Sequence, residues 1–313
     1  MKGALAGFCL ASLLLAPAAS ANSIASIVVE SNGDVYFSDY VRDKIWKVDP
    51  SGALTVAVAN RHSFHLVLDA VGAIYGEHRP ARGGDPTIWR FEPGGRTEEV
   101  FRPVRRGQTT SYRGTVFTID ARGSLLYLKD CQIVRLGEDG GLTPITQRGC
   151  HETAWTDPFI VYGHLHGSLA WGPGETLYFS DGRTIRRIRP DGAVSTLDGK
   201  PTSLFAGRQP SEPRYESLVG LAVDARGTVF AADRDSRAIL RFTPDGKTAV
   251  VTRLGMFWSP IAMTLSGDDL YVLVNLRFPT PAFLAGVFGN PTLQRLSADG
   301  RMTTVSTVKA RLR

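Results

Sequence analysis

Cysteine is almost missing from this 313-residue chain: only Cys9, Cys131 and Cys150 occur, and no two form a Cys-x-x-Cys pair. That excludes a zinc ribbon, a thioredoxin-type redox centre and a disulfide-dense scaffold. Lysine is scarce as well, confined to Lys2, Lys44, Lys47, Lys129, Lys200, Lys247 and Lys309, so the net charge of +6 rests mostly on arginine. No apolar run long enough to span a bilayer follows the first twenty-odd residues, which leaves no membrane-crossing helix beyond them. Neither Gly-x-Ser-x-Gly nor a nucleotide-binding glycine loop occurs, so a serine esterase or a nucleotide enzyme has no local signature. Helical periodicity of 3.6 residues is not sustained anywhere, and the helical repeat architectures are excluded with it.

The apolar run at the start reads as a leader. Lys2 supplies a positive end, Leu5 to Leu15 an apolar stretch, and Ala19-Ser20-Ala21 the small residues of a cleavage site before Asn22. The expectation is a signal peptide over 1–21 and a single mature domain over 22–313, secreted or periplasmic. Export leaves Cys131 and Cys150, and an oxidising compartment predicts one disulfide between them. Export also argues against a nucleic-acid partner; a glycan, peptide, protein or small molecule is the expected class.

Glycine and proline are plentiful, 33 and 18 residues spread along the chain, which suits many short strands joined by tight turns. One unit recurs six times: an apolar strand, a Gly turn, an aromatic strand, a loop, a strand with a basic residue inside it, and a second Gly turn. The aromatic strands read VYFSD (35–39), IYGEH (74–78), LYLKD (126–130), LYFSD (177–181), VFAAD (229–233) and LYVLV (270–274). The third strands read IWKV (45–48), IWRF (88–91), IVRL (133–136), IRRI (185–188), ILRF (239–242) and LQRL (293–296). A fourth strand closes each unit. Such a unit alone cannot bury both faces, whereas radial stacking does. The fold class expected is all-β: a six-bladed β-propeller of four-stranded antiparallel blades, with inner strands near 26–30, 65–69, 116–120, 168–171, 220–224 and 260–264.

The segment GLAVDARGTVFAADRDSRAILRFTPDG (220–246) resembles an NHL repeat, and VVESNGDVYFSDYVRDKIWKVDPSG (28–52) is similar. The resemblance implies a six-bladed NHL-type propeller, related to the gluconolactonase/senescence-marker-protein propellers and to the peptidyl-hydroxyglycine amidating lyases. It places the first strand of each unit nearest the central channel. In the hydrolytic relatives it implies a divalent metal held by carboxylate and Asn ligands, one of them a Glu at the start of the first inner strand. Here that segment reads ASANSIASIVV, without the Glu. The lyases imply zinc held by His at the starts of three inner strands; of the matching positions only His166 is His, with His65 one residue off. A divalent metal is therefore left open, without a full ligand set.

The recurring residues read as structure. The aromatic set from Tyr36 to Tyr271 is expected between blades. Asp39, Asp130, Asp181 and Asp233 are expected to accept hydrogen bonds from the loops they precede, and the basic set from Lys47 to Arg295 to lay its stems on aromatic neighbours with paired heads. The irregular parts carry the functional reading. Loops between strands 2 and 3, and links between blades, open on one face; Gly hairpins occupy the other. All six histidines (His62, His65, His78, His151, His164, His166), Trp155, Trp258 and the long insertions fall on that loop face. Contacts are expected at the channel mouth around His65, Tyr112, His166, Glu216 and Trp258. Two functions follow: an exported propeller that binds a ligand on its loop face, or a lactonase-like hydrolase or lyase with its site at the channel mouth. The residues alone leave open whether the protein is an enzyme.

Overall fold

The computed structural model describes residues 26–39, 42–63, 65–78, 87–92, 94–101, 117–120, 124–129, 132–137, 141–146, 169–181, 184–197, 218–276 and 290–308. The expected leader, Cys131, Cys150 and the expected disulfide lie outside them.

Blade 1 comprises β1 (Ile27–Val29), β2 (Val35–Asp39), β3 (Lys44–Val48) and β4 (Leu54–Ala59). Blade 2 comprises β5 (Leu66–Leu68), β6 (Ile74–His78), β7 (Thr87–Phe91) and β8 (Thr97–Phe101). Blade 3 is β9 (Phe117–Ile119), β10 (Leu125–Lys129), β11 (Gln132–Leu136) and β12 (Leu142–Pro144). Blade 4 is β13 (Leu169–Gly172), β14 (Thr176–Asp181), β15 (Thr184–Ile188) and β16 (Val194–Thr196). In blade 5 follow β17 (Leu218–Val223), β18 (Val229–Asp233), β19 (Ala238–Phe242) and β20 (Thr248–Arg253). Blade 6 ends the ring with β21 (Trp258–Ser266), β22 (Asp269–Leu276), β23 (Thr292–Leu296) and β24 (Met302–Thr307). Each set forms its own four-stranded sheet in sequence order. Helix among the described residues amounts to one 3-10 turn, Pro173–Glu175. The expected six blades and inner strands are present.

The turns follow from their chemistry. In blade 5 the Gly246 amide donates to the Thr243 carbonyl at 2.8 Å with Gly246 at φ +83°, a left-handed conformation that glycine adopts without a Cβ clash. Asp224 braces the first hairpin of the same blade, its Oδ1 accepting from the Arg226 and Thr228 amides at 2.9 and 2.8 Å.

Six apolar clusters hold the ring, and each lies between two neighbouring blades. The period of two sends alternate side chains of one strand to opposite neighbours. In β2, Val35 and Phe37 face blade 6 while Tyr36 faces blade 2. In β14, Leu177 and Phe179 pack on blade 3 while Tyr178 packs on blade 5. Tyr75, Phe230 and Tyr271 likewise lie against the following blade, as their repetition requires; the Tyr127 side chain lies outside the described residues. Blades 5 and 6 approach closely, since a Cβ on Gly220 would stand 2.6 Å from the Met263 amide nitrogen.

Blade 1 meets blade 6 through Ile27, Val35, Phe37 and Val48 on one side and Ile261, Ala262, Leu273, Leu293 and Val308 on the other. Arg42 adds a hydrogen bond to Asn290 Oδ1 at 2.7 Å. Every sheet is made of four consecutive strands, so among the described residues the ring closes by packing, with no strand exchanged between its ends.

Several of the polar repeats fall as expected. Asp39 accepts from the Arg42 amide, Arg42 Nη1 and Trp46 Nε1 at 2.8–3.2 Å, and Asp233 from the Asp235 amide and Ser236 Oγ. Lys47 lies over the Tyr36 ring and Arg90 over Tyr75, while Asp34, Asp120 and Asp269 pair with Lys47, Arg135 and Arg295. Asp130 and the Asp181 side chain lie outside the described residues.

One carboxylate departs from the pattern. Where blades 2, 3 and 5 carry Asp69, Asp120 and Asp224, blade 1 carries Glu30, too long to cap the turn; Asn32 Oδ1 takes over, accepting from the Asp34 amide at 2.8 Å. Glu30 is 7% exposed and its Oε1 has no hydrogen-bond partner among the described residues. Burial first, then the adjacent Asp34 charge, raises its pKa, against the Asn32 hydrogen bond and Lys47. The charged form is therefore disfavoured in the folded state at neutral pH. Glu30→Gln is expected to raise the melting temperature at pH 7. The gain should shrink toward pH 4.5, where folded Glu30 takes up its proton before the unfolded chain does. A lower melting temperature for the variant at pH 7 would contradict this account.

Candidate functional site

The inner strands line a central cavity of about 220 Å³ whose wall includes Ser26, His65, Leu66, Thr118, Leu169, Trp171, Leu221, Ala222 and Met263. Aliphatic side chains dominate because inner strands are covered on both faces. His65 is the one ionisable side chain lining this cavity among the described residues.

The local sequence fixes His65 in place. Ser63, fully buried, donates its hydroxyl to the His65 carbonyl at 2.5 Å and accepts from the His65 amide at 3.2 Å and the Glu77 amide at 2.8 Å. That uses the hydroxyl's whole capacity of one donor and two lone pairs. The next residue is tied as well, since the Leu66 amide donates to Ser26 Oγ of blade 1 at 2.8 Å. His65 keeps some surface on the channel side, yet enough protein surrounds the imidazole that burial holds its pKa down at about 4. The imidazole is therefore neutral at physiological pH, the form in which one ring nitrogen carries a lone pair.

A second histidine group stands on the loop-face rim between blades 1 and 2. His62, 5% exposed, places Nδ1 2.6 Å from Asp43 Oδ1. His78 lies beside it, ring centroids 5.0 Å apart. Burial first, then His62 and Arg61, lowers the His78 pKa, against the pull of Asp43.

Of the five residues expected at the mouth, the structure brings His65 to the channel wall. Trp258 is half-buried, packed on the cluster between blades 5 and 6 around Val219, Ala222 and Met263. Tyr112, His166 and Glu216 lie outside the described residues, as do Trp155, His151, His164 and most of the long insertions. Sequence reasoning missed Asp43 and Ser63. Ser63 could have been suspected from its place two residues before an inner-strand histidine; nothing in the repeat marks Asp43.

The oxygen-rich metal set implied by the hydrolytic relatives does not fit the described channel. Its lining carries no Asp, Glu or Asn, and among the described residues no three His, Cys, Asp or Glu are placed to ligate one metal ion together. A larger cavity of about 460 Å³ opens on the hairpin side and is lined by Asp69, Asp120, Arg135 and Glu175. Its aspartates are already engaged: Asp120 by Arg135 Nε and the Ser124 amide, both at 2.9 Å, and Asp69 by the Val71 and Ala73 amides. The channel is thus the better site for chemistry.

Residues 25–274 match the family described as SMP-30/Gluconolactonase/LRE-like region. No curated protein sequence matches the chain. Among solved structures, virginiamycin B lyase from Staphylococcus aureus is similar over 94% of this chain and 87% of its own, at 14% identity and a TM-score of 0.52. A gluconolactonase from Xanthomonas campestris is similar over 79% of this chain and 81% of its own, at 14% identity and a TM-score of 0.54. A chain of a nidogen/laminin complex reaches a TM-score of 0.57 at 15% identity, over 89% of this chain and 98% of its own. At these identities the likeness speaks for the fold.

Proposed function

Because the chain belongs to the SMP-30/gluconolactonase/LRE-like family, we propose that it is an enzyme that opens lactones or related cyclic esters at the loop-face end of the channel. The observation that carries the reading is His65, a neutral imidazole whose backbone is fixed by Ser63, in a wall whose other side chains are uncharged. A lactone is an uncharged ring with one polar edge, and such a channel accepts its body without stranding a charge. The gluconolactonase and lyase relatives support this enzyme class over a binding-only propeller. A histidine-to-alanine form of virginiamycin B lyase described as catalytically inactive supports an imidazole in the role.

In hydrolysis, His65 takes a proton from water as the water oxygen bonds to the carbonyl carbon. The ring C–O bond then breaks, and the imidazolium returns the proton to the departing alkoxide, leaving a hydroxy acid. In elimination, the same imidazole takes a proton from the carbon next to the C–O bond. A C=C bond forms as that bond breaks, and the carboxylate leaves. Both routes need the imidazole neutral. We place this action outside the cytoplasm, on the expectation that residues 1–21 are a leader.

The test is turnover of a panel of sugar lactones and macrocyclic esters by the purified protein, with products identified by mass spectrometry. Hydrolysis yields a product one water heavier; elimination yields an isomer of unchanged mass. No turnover of any member, together with saturable binding of a glycan or peptide, would return the protein to the binding class.

A further inference from the structure

The histidine pair on the rim between blades 1 and 2 has no part in the ring-opening chemistry. Three separate elements bring it together: Asp43 in the turn before β3, His62 in the link from β4 to β5, and His78 at the loop-face end of β6. The ring centroids are 5.0 Å apart with the planes inclined at 61°. Two imidazoles on one tetrahedral ion, at metal–nitrogen distances of about 2.0–2.1 Å, hold their rings at about this spacing. Asp43 Oδ1, 2.6 Å from His62 Nδ1, accepts a hydrogen bond from Nδ1–H and so leaves the lone pair on Nε2, on the side of the ring away from the carboxylate. A carboxylate behind an imidazole is how metal-binding histidines are oriented and made more basic. His78 Nδ1 is buried and meets no hydrogen-bond partner among the described residues, whereas buried polar atoms ordinarily find one.

We propose that His62 and His78, with Asp43 as a positioning residue, bind one divalent transition-metal ion of the Zn²⁺, Cu²⁺ or Ni²⁺ class, water completing its coordination. Two imidazoles select these ions over Mg²⁺ and Ca²⁺, which take oxygen ligands. The site is separate from His65, so ion binding and ring opening are independent readouts.

The experiment uses the tag-free full chain titrated with Zn²⁺ by calorimetry, and with Cu²⁺ by electron paramagnetic resonance. One equivalent of Zn²⁺ should bind, with no heat from Mg²⁺. His62→Gln and His78→Gln should each weaken it by at least about tenfold, and Asp43→Asn by roughly 10–100-fold. The wild-type Cu²⁺ spectrum should show coupling to two nitrogens, a reading that does not depend on any variant folding. A missing Zn²⁺ event, binding that survives His78→Gln in a folded variant, or a Cu²⁺ spectrum without two-nitrogen coupling would overturn the proposal.

Discussion

His65→Ala is expected to lower kcat/KM for lactone opening by about 10²–10⁴-fold, the range a positioned general base contributes. The imidazole is the only proton acceptor of its kind on the described channel wall, so nothing beside it there can take over. The same substitution has a signature in stability. His65 in the unfolded chain takes up a proton near pH 6.5, but in the folded state only at about 4. Between those values the unfolded state binds more protons, so stability falls as the pH falls through that window, by about 3 kcal/mol for this group. His65→Ala and His65→Gln should both lose that part of the acid sensitivity, read from urea midpoints at pH 7 and pH 4. A variant that retains the rate within threefold would show that the proton goes elsewhere. An unchanged acid slope would show that the imidazole is not buried as described.

Phe37→Ala should cost about 3–5 kcal/mol, the range for emptying a large aromatic site in a packed core. Phe37 is 1% exposed and lies in the cluster joining blade 6 to blade 1. Its neighbours there come from opposite ends of the chain, so the void cannot be filled by a local shift of one strand. By contrast Val56, 43% exposed on β4, should change stability by no more than about 0.5 kcal/mol when cut to Ala. Denaturant melts of the two variants make the comparison. A loss below about 1 kcal/mol for Phe37→Ala would mean that the seam between the first and last blades adds little to the ring.

The blades were legible because a strand's alternation and its Gly turn are written within a dozen residues. Tyr36 and Tyr178 pack between blades, as their recurring places in VYFSD and LYFSD suggest without any knowledge of the ring. What was not legible depends on two blades at once. The match of mouth positions left His65 one residue off; the structure sets His65 on the wall, held there by Ser63, whose hydroxyl also takes the Glu77 amide of the next strand. The grouping of Asp43 with His62 and His78 needs the angle between blades 1 and 2, which no strand pattern encodes. The closing of the ring was equally silent, since an exchanged strand and a complete blade carry the same repeat.

That complete sixth blade has a consequence for how such a ring is inherited. Each blade is one uninterrupted stretch of chain, and each link joins an outer strand to the next inner one. One in-frame duplication or deletion therefore adds or removes a whole blade, with every strand still paired to partners from its own stretch. A ring closed by an exchanged strand would also have to carry its split blade intact through the same event. Here the gene can be lengthened or shortened in units of the repeat, and the geometry that must readjust is confined to the angles at the seams.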